Sequence, residues 1–208
     1  KRGGSGGDNL QSIWLLPSDD LTTPGATSTE IFSTLEGDDG ELSRYYNLSY
    51  QIIARANIVM EKIVENGSEA YDASSNADEY HRGEALFLRS LMYFNLWNIF
   101  GTAPLVTERI TNLDDAFPPN STGTQLLDQA IIDLTEAATL LPEAWDEGNV
   151  GRATKNSARG LLGKCLVFRG TVNTTDADFT AAIAAFNSIT GVQLASNFND
   201  NFDGLKEN

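Results

Sequence analysis

Apolar side chains recur at helical spacing along most of the chain after residue 40. In the first such stretch, apolar residues recur every three or four positions from Leu42 to Ile63, with Ala56 and Met60 between them. This period is that of an amphipathic helix, whereas a half-buried strand would alternate at every second residue. Five helices are predicted in this way, over about residues 42–66, 76–100, 124–141, 155–169 and 178–189.

Start and stop signals set the bounds of these predicted helices. The second helix is predicted to begin near Ser75 or Asn76, and the third near Ser121 or Thr124, because such residues favour helix N-termini. Glycine and proline interrupt helices at their C-terminal ends. The predicted stops are, in helix order, Asn66-Gly67, Gly101 with Pro104, Pro142, Gly170 and Gly191.

The second predicted helix is apolar on nearly all sides between residues 81 and 100. A surface helix needs a single apolar stripe, so this composition indicates burial on most faces. The segment nevertheless carries Arg82, Glu84 and Arg89. Charged groups inside a helical core must be paired or must extend to water.

The helices are expected to form antiparallel pairs in an all-α fold. The two helices of a pair start a little over 30 residues apart, which is the period of tetratricopeptide-like repeats. Small residues such as Gly83, Ala137 and Gly163 fall where the helices of a pair would touch. We therefore predict a tetratricopeptide-like helical domain over residues 41–208, preceded by a loop-rich segment of the same domain over residues 1–40. A generic helical bundle would show a similar pattern.

Composition and charge exclude several classes of function. The chain has 208 residues and a formal net charge of −15, from 14 basic and 29 acidic side chains. Nucleic-acid binding requires clustered Lys and Arg and is not expected. No apolar run reaches the roughly 18 residues of a membrane span. The single cysteine, Cys165, lies in a predicted helix and is interpreted as a small buried hydrophobic residue.

Catalytic chemistry has few candidates. The single histidine, His81, lies at the polar start of the second helix and is interpreted as a solvated residue rather than a general base. The acid pairs at 19–20, 38–39 and 114–115 are interpreted as solvated loop residues rather than a glycosidase pair. The acidic tract "NFNDNFDG" lacks the spacing of an EF-hand loop. We expect no enzyme activity, no cofactor and no bound metal.

Four blocks of the sequence together resemble the SusD/RagB family of bacterial outer-membrane glycan-binding lipoproteins. The most specific block is "RGEALFLRSLMYFNLWNIFGTAPLV"; "YQIIARANIVMEKI" precedes it, and "AIIDLTEAATLLP" and "GRATKNSARGLLGKCLVFRG" follow in the family's order. The family's proteins are much longer, so the chain is expected to be the tetratricopeptide-like half of a longer protein. A lipid-bearing cysteine at the mature N-terminus is also absent from this sequence, and Cys165 cannot serve as one.

The resemblance implies a non-catalytic role in glycan uptake. Such proteins capture oligo- or polysaccharides on the outer face of the outer membrane and deliver them to a TonB-dependent transporter of the SusC type. They touch the membrane through a lipid anchor. The resemblance also implies that Arg82 and Arg89 are structural, pairing with carboxylates or capping helix carbonyls. The alternative is a tetratricopeptide-type scaffold that binds a protein or peptide.

Candidate glycan-binding residues lie in the N-terminal segment and at the start of the first helix. Sugar recognition takes an aromatic face for the C–H side of the ring and carboxylate, amide or guanidinium groups for the hydroxyls. The predicted residues are Trp14, Asp19, Asp20, Arg44 and Tyr45, and Tyr46 lies beside them at the helix start. The alternative for Trp14 is that it fills the core.

Overall fold

All regular elements that the structure describes are helical. The computed structural model describes residues 13, 40–72, 74–193 and 196–199. Five α-helices follow one another in these ranges: α1 (Gly40–Ala70), α2 (Ala77–Phe100), α3 (Gln125–Leu140), α4 (Lys155–Asn173) and α5 (Asp176–Asn187). Each packs mainly against its neighbour in sequence. This confirms the predicted all-α, tetratricopeptide-like fold. Apart from residues 13 and 40, the predicted loop-rich segment 1–40 lies outside the described residues.

Four of the predicted helix boundaries are confirmed by the structure. Helix α2 ends before Gly101, whose φ of 71° suits glycine and whose N–H donates to the carbonyl of Trp97. Helix α3 starts after Thr124 and stops short of Pro142. At the start of α4, Thr154 and Ser157 exchange backbone and side-chain hydrogen bonds in a capping box.

Two predicted stops are wrong. Helix α1 continues through Asn66-Gly67 to Ala70, and α4 continues through Gly170 to Asn173. A Cβ at Gly170 would lie 3.0 Å from the Cβ of Asp178, so this glycine permits close contact between α4 and α5 rather than ending the helix. Helix α4 ends at Asn173, and the capping residue Thr174 adopts a left-handed conformation with φ 53°.

The main core lies between α1, α2 and α3, with a contribution from α4. Helix α2 is buried along much of its length, as predicted, and its fully enclosed side chains include Leu86, Tyr93 and Leu96. The burial is not complete, because Leu88 remains 45% exposed on the outer face. A smaller cluster of Leu166, Ala182 and Ala185 holds α5 against α4. The centre of the domain is therefore better packed than its C-terminal end.

Arg89 lies at the centre of a buried hydrogen-bond network, as its predicted structural role requires. Its guanidinium makes two 2.7 Å bonds to the carboxylate of Asp133 on α3. It also donates to the side-chain oxygen of Asn57 on α1 and to the carbonyl of Thr107. The amide of Asn57 in turn donates to the carbonyls of Val106 and Glu108. The network thus joins three helices and fixes the segment that follows α2.

Arg82 and Arg152 form ion pairs at the edge of the core. Arg82 pairs with Glu136 of α3 at 2.6 Å, which confirms its predicted structural role. Arg152 makes a two-pronged contact with Glu84 of α2 and stacks on the ring of Trp145. These pairs join α2 to α3 and to the loop that precedes α4.

Candidate functional site

The predicted binding residues fall into two groups with respect to the structure. Trp14, Asp19 and Asp20 lie outside the described residues. Arg44 is half-buried in the first turns of α1. Tyr45 is only 6% exposed, and burial raises the pKa of its hydroxyl while a hydrogen bond with Asn95 of α2 partly offsets this effect. The side chain of Tyr45 therefore faces α2, and the candidate site must depend largely on its neighbours.

The neighbour Tyr46 lines an open cavity at the start of α1. The cavity has a volume of about 360 Å³ and lies between the first two turns of α1 and the end of α2. Its lining residues are Leu42, Ser43, Tyr46, Asn47 and Phe100. A cavity of this size lies at the lower end of the range for small-ligand sites.

Aromatic packing fixes the orientation of the Tyr46 ring. Its centroid lies 4.8 Å from that of Tyr50 and 5.4 Å from that of Phe100, with the Phe100 ring nearly perpendicular. Tyr50 is held in turn by its hydroxyl, which donates to the carbonyl of Pro104 at 2.5 Å. Burial raises the pKa of Tyr50, so this hydroxyl stays protonated and keeps donating. Tyr46 is therefore a preoriented ring, as a stacking surface for a ligand should be.

The cavity has the chemistry of a site that binds without reacting. It offers two aromatic rings, a hydroxyl from Ser43 and an amide from Asn47. Aromatic faces suit the C–H side of a sugar ring, and hydroxyl and amide groups can exchange hydrogen bonds with sugar hydroxyls. These described lining residues carry no carboxylate, imidazole or thiol that could act as a general acid or base.

Potential catalytic groups elsewhere in the described residues are scattered. His81 is exposed, and its Nδ1 lies 3.0 Å from the hydroxyl of Tyr71. Cys165 is fully buried, and burial raises the pKa of its thiol to about 12. Asp114 and Asp115 lie in an exposed single turn of 3₁₀-helix. These groups do not share a cavity, and within the described ranges no set of acidic, His or Cys side chains is placed to hold a metal ion.

A second, more apolar groove lies farther along α1. It has a volume of about 500 Å³ and runs between the outer faces of α1 and α2, where Ile52, Val59 and Leu88 form its walls. Arg55 and His81 lie at its edge. This composition suits apolar side chains of a peptide better than a sugar, and it bears on the alternative scaffold function.

The sequence interpretation ranked Tyr45 above its neighbour Tyr46 and missed the lining roles of Asn47 and Phe100. One signal in the sequence could have separated the two tyrosines. Residues four apart lie on one helix face, so Tyr46 belongs with Tyr50, whereas Tyr45 belongs with the buried Ser49. Phe100 could not be found from sequence, because its contact with Tyr46 depends on how α2 packs against α1.

The chain is similar to known SusD-like proteins in both sequence and structure. Residues 21–167 match the sequence pattern of the SusD-like family described as "Starch-binding associating with outer membrane". SusD-like protein P38 from Formosa agariphila is 37% identical over 89 residues, which are 42% of this chain and 16% of P38. This chain therefore matches a small part of a longer relative.

Two solved structures show the same fold. One is a laminarin-binding SusD-like protein, with a TM-score of 0.64 and 27% identity over 76% of this chain and 34% of its own. The other is a crystal structure with xylogluco-oligosaccharide, with a TM-score of 0.76 and 24% identity over 92% of this chain and 39% of its own. The second similarity, at 24% identity, shows the fold alone.

The family assignment agrees with the rest of the structure. The family is one of carbohydrate-binding proteins rather than enzymes. In the described part of the chain, no helix has both the length and the hydropathy needed to cross a membrane. The matched pattern extends from residue 21, in the N-terminal segment, into α4 and so covers most of the helical domain. The chain belongs to the SusD-like family of starch-binding proteins that associate with the outer membrane.

Proposed function

We propose that this protein captures a neutral oligo- or polysaccharide at the bacterial cell surface without cleaving it. The binding face consists of the cavity at Tyr46 and the N-terminal residues Trp14, Asp19 and Asp20, together with Arg44 at the start of α1. The observation that carries the proposal is the preoriented Tyr46 ring beside Asn47, in a cavity whose described lining residues carry no carboxylate, imidazole or thiol. The chain's membership of a glycan-binding family supports it.

The proposal includes delivery of the glycan to a transporter. We assign the protein to the outer face of the outer membrane, held there by a lipid anchor on a cysteine outside this sequence, with a SusC-like TonB-dependent transporter as its partner. The family's description, which names association with the outer membrane, supports this location. The transporter and the anchor are carried over from the family resemblance.

The groove between α1 and α2 supports a second candidate function. Its apolar walls at Ile52, Val59 and Leu88, with Arg55 at the edge, would suit an apolar peptide that carries a carboxylate. The alternative is therefore a tetratricopeptide-type scaffold that binds a protein or peptide partner. The polar and aromatic character of the Tyr46 cavity favours the glycan, because stacking rings with amide and hydroxyl groups are the combination that sugars require.

Calorimetric titration with oligosaccharides tests the proposal. Xyloglucan heptasaccharide, laminarihexaose and maltohexaose are titrated into the wild type, and we expect micromolar to millimolar dissociation constants for at least one of them, because an open site buries little of each sugar. Tyr46→Ala should weaken that affinity by roughly five- to tenfold, since an aromatic contact contributes about 0.5–1.5 kcal/mol beyond its buried area.

Matched variants separate the glycan from the peptide alternative. Tyr71→Ala removes an aromatic ring that lines the groove between α1 and α2, and it should leave glycan affinity unchanged. Trp14→Ala, and Asp19→Ala combined with Asp20→Ala, should lower the affinity with the helical circular dichroism preserved. Release of reducing ends during incubation, or equal loss in Tyr46→Ala and Tyr71→Ala, would contradict the proposed function.

A further inference from the structure

We infer that a separate cleft, at the far end of α1 and distinct from the apolar groove, binds another neutral sugar unit through two adjacent hydroxyl groups. This inference rests on the proposed function and extends it to a second site. The cleft has a volume of about 610 Å³ and lies between α1 and the segment 107–109 that follows α2. Glu61 of α1 lies 15 residues after Tyr46, or about 22 Å along the helix axis at 1.5 Å per residue. The two sites are therefore separate.

The floor of this cleft is rigid. It is formed by Asn57 and Arg89, whose side chains belong to the buried network that joins α1, α2 and α3. Both side-chain N–H groups of Asn57 are used by backbone carbonyls, and its oxygen accepts from Arg89. Because these groups already have partners, the floor holds the cleft open and leaves recognition to the rim.

The rim presents a carboxylate and a guanidinium that make only long ion-pair contacts in the described part of the chain, since Glu61 Oε1 also lies 3.9 Å from Lys62 Nζ. Arg109 Nη1 lies 3.6 Å from Glu61 Oε1, which is an ion-pair distance but too long for a hydrogen bond. Glu61 Oε2 is buried and accepts no hydrogen bond from any described residue. Among the described residues, Arg109 makes this long contact and donates no hydrogen bond. The side chains of Glu61 and Arg109 are 30% and 43% exposed, so a ligand can reach both and supply the short hydrogen bonds that their long mutual contact leaves unmade.

Two neighbouring hydroxyls of a sugar ring fit this rim. One hydroxyl donates to the carboxylate of Glu61, and the next accepts from the guanidinium of Arg109; both bonds are strengthened by charge. Val64, which is 78% exposed, and the adjacent Met60 offer an apolar surface for the C–H side of the ring.

The charge balance of the cleft favours a neutral ligand. Three carboxylates and three guanidinium groups line it: Glu61, Glu65, Glu108, Arg82, Arg89 and Arg109. Arg82 and Arg89 are already paired with Glu136 and Asp133. The net charge of the chain is −15, which opposes an anionic ligand further. A neutral, hydroxyl-rich ligand exchanges hydrogen bonds with both signs of charge and suffers no net repulsion.

The experiment is an amide NMR titration of the chain with xyloglucan heptasaccharide and laminarihexaose. We expect shifts in two separate sets of residues, 42–47 at the first cavity and 57–65 with 107–109 at the second. Glu61→Met should weaken binding in the second set by about tenfold or more, since it removes a charge-assisted hydrogen bond, and should leave the first set unchanged. Glu69→Met, at an exposed carboxylate on the same helix, is the matched control and should change neither set.

The melting temperature of the Glu61→Met variant shows whether Glu61 binds the sugar or stabilises the fold. Because Glu61 Oε2 lacks a protein donor, Glu61→Met should keep or raise the melting temperature while weakening the second site. Shifts confined to residues 42–47 would overturn the second site and leave the proposed function standing. An absence of shifts in both sets would overturn both. A lower melting temperature with equal weakening of both sets would show that Glu61 is structural and would overturn the inference.

Discussion

The α1–α2 pair and the α4–α5 pair have the same architecture but are held together differently. Between α1 and α2 lies a core with Ile53, Leu86 and Tyr93 almost fully enclosed. Between α4 and α5 the buried cluster has three members, Leu166, Ala182 and Ala185, while Ile183 remains 60% exposed. The first pair thus has a larger share of the apolar burial that stabilises a fold.

The two helix pairs also differ in their buried hydrogen bonds, which are more numerous around α1 and α2. The segment after α2 is fastened by Tyr50, Asn57, Arg89 and Tyr93, each of which donates to a backbone carbonyl between residues 104 and 108. In the last pair the main polar contact is a partly exposed one between Arg169 and Asp178. The candidate binding surfaces lie on the first pair, where the rings and side chains have rigid support.

The largest expected difference comes from removing one arginine in each pair. Both Arg89 and Arg169 make two bonds to one aspartate, but the side-chain exposures are 6% and 2% for Arg89 and Asp133, against 23% and 10% for Arg169 and Asp178. Arg89→Met should lower the free energy of unfolding by about 3–5 kcal/mol, because it strands a buried carboxylate. Arg169→Met should cost about 1–2 kcal/mol.

Denaturant unfolding followed by circular dichroism gives both values. Equal losses in the two variants would show that the two ends of the domain are held equally well. Tyr46-dependent glycan binding should also weaken in Arg89→Met and persist in Arg169→Met.

Replacing one glycine in each half of the domain by alanine should give a smaller difference in stability. A Cβ at Gly83 would lie 2.9 Å from Leu141, which is 1% exposed, and a Cβ at Gly163 would lie 2.6 Å from the ring of Phe186, which is 42% exposed. Gly83→Ala should therefore cost about 1–3 kcal/mol, since its neighbour cannot move away. Gly163→Ala should cost less despite the closer contact, because the Phe186 ring can swing toward solvent. Thermal melts check the order, and a larger loss at Gly163 would contradict it.

Replacing a third glycine, Gly67, by alanine should raise stability rather than lower it. Gly67 lies inside α1, and among the described residues a Cβ there would meet only Ile63 Cγ2, at 3.9 Å. Gly67→Ala should raise the free energy of unfolding by about 0.5–1 kcal/mol, because alanine favours the helix without a clash. A melting temperature below that of the wild type would show that α1 does end at this glycine in solution.

These glycines also show which parts of the fold can be predicted from sequence. Stops that act locally were predicted correctly, as at Gly101 and Pro142, because a positive φ or a missing N–H works in any context. Gly67 and Gly170 were misjudged as stops. Gly170 is used for close packing against α5, and such a contact is determined by tertiary structure rather than by local propensity.

The candidate site was predictable only in part. Its place at the start of α1 and the structural role of Arg89 followed from the family resemblance, while the cost of an unpaired charge in an apolar helix required only that Arg89 be paired or reach water. The choice of Tyr45 over Tyr46 placed emphasis on a side chain that the structure buries. Asp133, the partner of Arg89, lies 44 residues away in sequence, so the pairing itself had no local signal.

The last prediction for the two helix pairs requires no substitution and concerns the accessibility of Cys165 on α4. Its side chain is fully buried in the core of the first three helices, and burial raises the pKa of the thiol to about 12. Because only the thiolate reacts, labelling by a disulfide reagent at pH 8 should be at least about a hundredfold slower in the native than in the unfolded protein.

The raised pKa of the Cys165 thiol also makes the stability of the protein depend on pH above 9. The folded state keeps the thiol proton above pH 9, where the unfolded chain releases it, so Cys165 makes stability fall as the pH rises from 9 toward 12. Fast labelling of the native protein at pH 8 would mean that α4 separates readily from the core.

Hydrogen exchange, measured with and without a saturating oligosaccharide, tests the central claim that the rigid first pair carries glycan binding. In the free protein, the interior amides of α1 and α2 should exchange more slowly than those of α5, whose packing is thinner. With xyloglucan heptasaccharide or laminarihexaose bound, we predict added protection at residues 40–50 and 98–104 and no change over 155–187. Added protection confined to residues 155–187, or no change anywhere at saturation, would contradict this account.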